Sequence, residues 1–101
     1  MSVSEAETKQ QVLIWLGLRS DTLAYTVQPL VARDKWGRVM RAAPKGHSDI
    51  LACIGGRYVA IEMKSATGRQ NPDQKIFQQA VQRASGIYVL ARSIDDVCAA
   101  I

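Results

Sequence analysis

With 101 residues and a net charge of +4, the chain has room for one modest core, so a single domain over residues 1–101 is expected. No stretch approaches the ~20 apolar residues of a membrane span, and Met1 to Lys9 is too polar and acidic for a signal peptide. Cys53 and Cys98 stand alone, with neither metal-ligand spacing nor a disulfide framework, which points to a reducing, cytoplasmic setting.

The first predicted element is a helix from about Glu5 to Leu18, with Val12, Ile14, Trp15, Leu16 and Leu18 as its apolar surface. Ser4 and Glu7 have the spacing of a capping box at its start. Leu23 to Leu30 reads as a strand, with Leu23, Tyr25 and Val27 alternating against Ala24, Thr26 and Gln28, and Pro29 bending or ending it. Asp34-Lys35-Trp36-Gly37 is a predicted turn, followed by a short strand near Arg38 to Arg41 and a loop through Pro44-Lys45-Gly46. Five basic residues, Arg33, Lys35, Arg38, Arg41 and Lys45, lie here against the single Asp34. The remaining eight basic and eight acidic residues cancel, so the whole charge excess sits in this segment. Such a concentration can neutralise phosphates and release counterions, which suits a nucleic-acid partner better than a solvated loop made basic for solubility. Trp36 within it reads as a packing residue at a dimer interface, ahead of a base-stacking one.

Two β-rich runs come next, Ser48 to Ile54 and Arg57 to Lys64, joined at Gly55-Gly56. Glycine supplies the positive φ of a tight hairpin turn. In a hairpin symmetric about that step, opposed residues have numbers summing to 111. Ile50, Ala52 and Ile54 then share one apolar side with Val59, Ile61 and Met63, and a slip by one residue would bury the charges instead. On the other side Asp49 faces Glu62, with Lys64 two residues further along. Opposed carboxylates repel unless a cation lies between them, which favours a metal site over an exposed ion cluster.

After a loop from Ser65 to Arg69, Asn71-Pro72 opens a second helix with Asn71 as N-cap and Pro72 at its first position. Ile76, Phe77, Ala80, Val81 and Ala84 form its expected buried stripe, and Gly86 its end. Ile87 to Ala91 is a continuously apolar run, expected as a strand covered on both faces, and Ser93 caps a last helix. The order is α-β-β-β-α-β-α with room for one extra strand, and the late strand–helix–strand unit implies a parallel pair in a mixed sheet.

In this arrangement the chain resembles the PD-(D/E)XK nuclease superfamily, and more closely the stand-alone VRR-NUC domains of phages and prophages. The resemblance is carried by Gly46-His47-Ser48-Asp49-Ile50 and by Val59-Ala60-Ile61-Glu62-Met63-Lys64. Gly68-Arg69, Gln74, Gly86 and Ala91-Arg92-Ser93-Ile94-Asp95 continue it. It spans nearly the whole chain, loosest from Leu23 to Met40, and Ser48 stands where the superfamily name has proline. It implies an α/β fold with a restriction-endonuclease-like αβββαβ core, a mixed central sheet flanked by helices.

The resemblance further implies an endonuclease that hydrolyses phosphodiester bonds with Mg²⁺ or Mn²⁺, in the cytoplasm of a bacterial or phage-infected cell. Asp49 and Glu62 would hold the cation with the backbone carbonyl of Met63, as suits a hard ion that prefers oxygen. Lys64 would orient or deprotonate a water, or stabilise charge on phosphorus. The family glutamate from the first helix matches Glu7; that residue also fits the capping box with Ser4, and Glu5 paired with Ser2 is a rival register. Gln74 stands beside the site by analogy, yet shares capping-box spacing with Asn71. Arg69 and Lys75 flank the same helix start, which favours an anion, and join Arg33, Lys35, Arg38, Arg41 and Lys45 as DNA-binding candidates. His47, the only histidine, points away from Asp49 on a regular strand and reads as a packing or backbone-bonding residue. The expected partners are branched DNA such as Holliday junctions and a second copy in a homodimer, with no membrane and no small-molecule cofactor. A nuclease for flaps, nicks or duplex, or a non-catalytic nucleic-acid-binding module, are the rival readings.

Overall fold

The turn between the two inner strands is set by a pair of glycines, and the sheet follows from it. The computed structural model describes residues 4–28, 31–41 and 43–101. Gly55 and Gly56 have φ of 56° and 84°, the paired positive values that a two-residue hairpin requires. They join β4 (Ile50–Ile54) to β5 (Arg57–Met63) in the expected register, with Ile50 opposite Ile61 and Ala52 opposite Val59. β1 (Thr22–Thr26) pairs antiparallel with β4, and β6 (Ile87–Ala91) pairs parallel with β5, giving a mixed sheet ordered β1-β4-β5-β6. A separate two-stranded ribbon is formed by β2 (Val31–Arg33) and β3 (Val39–Arg41). The fold is therefore α/β, and it carries two short strands where the sequence left room for one.

The parity of the strands decides which helix covers which face. Ile50, Ala52, Val59, Ile61, Met63, Val89 and Ala91 form a core with Val12 and Leu16 of α1 (Glu5–Gly17) and Val97 of α3 (Ile94–Ala100). The opposite face carries Ala60 and Tyr88 against Phe77 and Val81 of α2 (Pro72–Arg83). β5 is thus covered on both sides, and its last five residues, Val59 to Met63, are all buried.

The helix faces are narrower than their apolar content suggests. In α1 only Thr8, Val12 and Leu16 are buried, a stripe at intervals of four, while Ile14 and Leu18 are exposed. In α2, Phe77 and Val81 are buried, whereas Ile76, Ala80 and Ala84 are exposed. That helix covers only the β5–β6 half of the sheet. Leu23 and Tyr25, on the same face of β1, consequently stay exposed, and the inward residue of that strand is Ala24, opposite Ala52. β1 ends at Thr26; the expected continuation through Pro29 and Leu30 lies outside the described residues. Two caps also differ from expectation. The left-handed residue after α2 is Ser85 (φ 65°), not Gly86, whose Cβ would instead lie 2.9 Å from Val81. Ser93 makes no side-chain cap bond at α3; Asp96 accepts from the Arg92 N–H in its place, at 2.8 Å. Among the described residues no helix is long and apolar enough to cross a membrane.

Gly46 joins the loop before β4 to the start of α2. Its φ is 73°, and a Cβ there would come within 2.3 Å of the Asp73 carbonyl group. Both backbone strain and collision oppose any side chain. Gly46→Ala should therefore destabilise the protein by about 2–4 kcal/mol in chemical denaturation. Gly17→Ala, at a helical position with nothing within 4 Å, should be neutral or slightly stabilising.

Candidate active site

Beyond the last paired residues of the hairpin, Ile50 and Ile61, the next step of the ladder brings Asp49 opposite Glu62. Asp49 Oδ2 accepts from the Met63 N–H at 2.8 Å, which holds its carboxylate against the Met63 backbone. The Val27 N–H donates to the Asp49 carbonyl at 2.9 Å, so both ends of this residue are fixed. Glu62 points to the α2 face and is only 4 % exposed. One of its oxygens, Oε1, accepts from the Gln74 side-chain amide at 3.0 Å and lies 3.8 Å from the Lys64 ammonium. The other, Oε2, is buried without a hydrogen-bond partner.

This leaves the cluster short of positive charge. Burial first, and the Asp49 carboxylate second, push the Glu62 carboxyl up to about 7, against the pull of Lys64. An amine at 3.8 Å is a loose partner for one buried carboxylate and cannot compensate two. The chemistry of the donor set, two carboxylates with one unbonded buried oxygen, fits a hard divalent cation. Among the described residues no three His, Cys, Asp or Glu side chains gather into a metal-binding group. The remaining ligands would have to be backbone carbonyl, water or substrate.

Gln74 resolves an ambiguity in the sequence by doing both jobs at once. Its Oε1 accepts from the Asn71 N–H at 2.9 Å while Asn71 Oδ1 accepts from the Gln74 N–H at 2.8 Å, a complete capping box. Its Nε2 is then free to donate to Glu62. The helix start that was expected to attract an anion thus has one of its N–H groups engaged by its own cap, with Asp73 adding a negative charge in the first turn. Arg69 and Lys75 are exposed beside it.

Of the two glutamates that the first helix offered, Glu5 and Glu7, the structure sets Glu5 nearer the carboxylates. Glu5, not Glu7, is close enough for its charge to act on Glu62, and it lines a cleft of about 530 Å³ together with Lys64, Ser65 and Arg92. Glu7 faces a separate groove with Gln10, Ile14 and Thr26, and its N–H donates to Ser4 Oγ at 3.1 Å. Two residues along a helix are separated by about 200°, so Glu5 and Glu7 cannot serve one site. His47 behaves as read: its Nδ1 lies 2.8 Å from the Ser48 carbonyl, which can only accept, so Nδ1 carries the proton. Ser48 is buried and donates to the Ile50 carbonyl at 3.0 Å.

Two groups beside the carboxylates, Tyr88 and Arg92, were not among the candidate site residues. Tyr88 sits in what reads as an apolar strand, yet its hydroxyl accepts from Gln70 at 3.1 Å, and Gln70 also donates to Gln78 at 2.9 Å. Burial raises the Tyr88 hydroxyl above its ordinary range; the Gln70 bond opposes this, and the charges of Glu62 and Asp49 add to it. Arg92 donates to the carbonyls of Ser65 and Gly68 and so straps down the loop that follows Lys64. Only the inward parity of position 88 on its strand could have flagged Tyr88. No protein-family model, curated protein or solved structure matches the chain.

The raised Glu62 has a consequence for stability. A carboxyl whose folded value lies near 7, above its ordinary 4.5, stabilises the fold relative to the ionised state only while it stays protonated. That contribution is complete below about pH 4.5 and is lost as pH rises through about 7. In metal-free buffer with EDTA, Tm should therefore fall between pH 5 and pH 8. Glu62→Gln should flatten the fall and be the more stable protein at pH 8, by up to about 3 kcal/mol.

Proposed function

We propose that the chain is a metal-dependent endonuclease that hydrolyses phosphodiester bonds in DNA, with branched DNA such as the four-way junction as its preferred substrate. The observation that carries this reading is the buried Glu62, set beside Asp49 and Lys64, with one oxygen lacking any partner. The resemblance to the PD-(D/E)XK superfamily and its VRR-NUC members supports it. With the β2–β3 ribbon treated as an insertion, the elements α1, β1, β4, β5, α2 and β6 follow the αβββαβ order.

Asp49, Glu62 and the Met63 carbonyl would hold Mg²⁺ or Mn²⁺. When bound, such an ion supplies charge neutralisation at the phosphate and a lowered pKa for a coordinated water. The protein's own groups do the rest. Gln74 fixes the Glu62 rotamer, so that the carboxylate does not have to be ordered during the reaction. Lys64, beside that carboxylate, offers a positive charge to a water or to the oxygens of phosphorus as their negative charge grows. Overall, water adds to phosphorus and one ester P–O bond breaks, leaving a phosphomonoester and a hydroxyl. Glu5, which lines the cleft beside Lys64, would act on the ion through water. A homodimer belongs to the same reading: Leu23, Tyr25 and Tyr58 are exposed on the part of the sheet that α2 leaves open, a surface that a two-fold partner would cover.

Labelled duplex, flap, splayed-arm and four-way-junction DNA should be cut only with Mg²⁺ or Mn²⁺, fastest at the junction, and not in EDTA. Asp49→Ala and Lys64→Ala should each lower the rate about 100-fold or more. Binding without cutting under every condition would overturn the enzyme in favour of a non-catalytic binding module. Equal rates on duplex, flap and junction would remove the junction preference alone. The helix glutamates separate cleanly: Glu5→Gln should reduce the Mn²⁺-supported rate about tenfold, whereas Glu7→Gln should leave it within about twofold of the parent.

A further inference from the structure

All six strand residues of the β2–β3 ribbon are exposed, and its strands pair only with each other. A lone two-stranded ribbon is marginally stable in water at best. Here the turn itself supplies the ties. Asp34 accepts from the N–H groups of Trp36 and Arg38 at 2.9 Å each and from the Arg38 guanidinium at 2.7 Å. Arg33 donates to the Gly37 carbonyl at 2.9 Å. The ribbon is thus closed at its tip by its own residues, and only its base, at Val31 and Arg41, borders the loop from Ala43 to His47.

Its charges are arranged for an external anion. Arg38 is paired with Asp34, but Arg33, Lys35 and Arg41 form no ion pair among the described residues. Lys35 and Arg38 are both held over the Trp36 ring, 4.4 Å and 4.9 Å from its centroid, and that ring is 69 % exposed. The register sets Val31 opposite Arg41 and Arg33 opposite Val39, so both arginines and both exposed valines emerge on one side, each arginine facing a valine.

We propose that the ribbon is a duplex-gripping arm. It enters the major groove of double-stranded nucleic acid and sets Arg33, Lys35 and Arg41 on the flanking phosphates. A groove about 12 Å wide admits a two-stranded ribbon, and Val31 and Val39, on the same face as the two arginines, supply apolar contacts suited to base edges and thymine methyls. A second copy of the chain fits this surface poorly, because two ribbons with the same excess of positive charge repel. A single strand fits poorly as well, because the one aromatic ring able to stack on a base already carries two cations. The proposal rests on the nucleic-acid reading above, and its test uses binding without turnover, so each can fail alone.

The test compares the full-length protein with a Lys35→Ala/Arg41→Ala double variant and a Lys35→Arg/Arg41→Lys charge-retaining control. Fluorescence anisotropy would follow labelled duplex and single strands of one sequence, in EDTA, over a series of salt concentrations. The double variant should bind duplex about tenfold more weakly at low salt, with a log–log salt slope shallower by about 2. The control should match the parent, and single-strand binding should change little. Unchanged duplex affinity and slope would overturn the arm, as would an equal loss on both strand forms. A fall from dimeric to monomeric mass by light scattering in the double variant would reassign the ribbon to self-association. Duplex binding lost by the double variant of a protein that cuts no DNA would support the arm while refuting the nuclease.

Discussion

Everything in this molecule depends on the antiparallel register of β4 and β5. Side chains alternate strictly along a strand, so one pairing decides both what is buried and what meets at the far end. With Ala52 opposite Val59, the aliphatic set Ile50, Ile61 and Met63 faces α1 and α3. The same pairing delivers Asp49 and Glu62 to the α2 side at the end of the ladder. A one-residue shift would expose the core and bury Lys64 among aliphatics, so the fold and the charged cluster cannot be specified separately. The two glycines of the turn are the smallest piece of sequence on which this depends.

The cluster is held in an unfavourable electrostatic state by favourable packing. Glu62 lies on β5, an inner strand of the sheet, beneath a helix that supplies one amide donor and one apolar wall. A buried carboxyl with an unbonded oxygen is destabilising where it stands, and such sites persist only where the surroundings over-determine them. Here the surroundings are Val59 to Met63, buried without a break, together with the Asp49 bond to the Met63 N–H.

Most of the scaffold was legible because its signals were local and redundant. The Gly-Gly turn, the alternation around it, the Asn71-Pro72 helix start and the apolar strand at Ile87 each rest on a few adjacent residues. What failed to show was decided across the sheet. The exposure of Leu23, Tyr25 and Ile76 follows from how far α2 reaches, which no local pattern reports. That Glu5 and Glu7 line different clefts follows from the rotation of α1 about its Val12–Leu16 stripe. Tyr88 was hidden because a tyrosine in an apolar run looks like core until its hydroxyl finds Gln70. Gln74 was legible as two rival roles, and only three dimensions could show that its two ends serve both.

That double use makes the first turn of α2 part of a thermodynamic cycle. The Glu62–Gln74 bond is stronger when the carboxylate is ionised, and the amide that makes it is the one whose oxygen accepts from the Asn71 N–H to close the capping box. By reciprocity, whatever favours ionised Glu62 also favours a formed helix start, and a frayed helix start raises the cost of ionising Glu62. Gly46 rests directly on that turn and leads within three residues to Asp49. One helical turn therefore touches both ends of the charged cluster: Glu62 through the Gln74 amide, and the chain leading to Asp49 through Gly46.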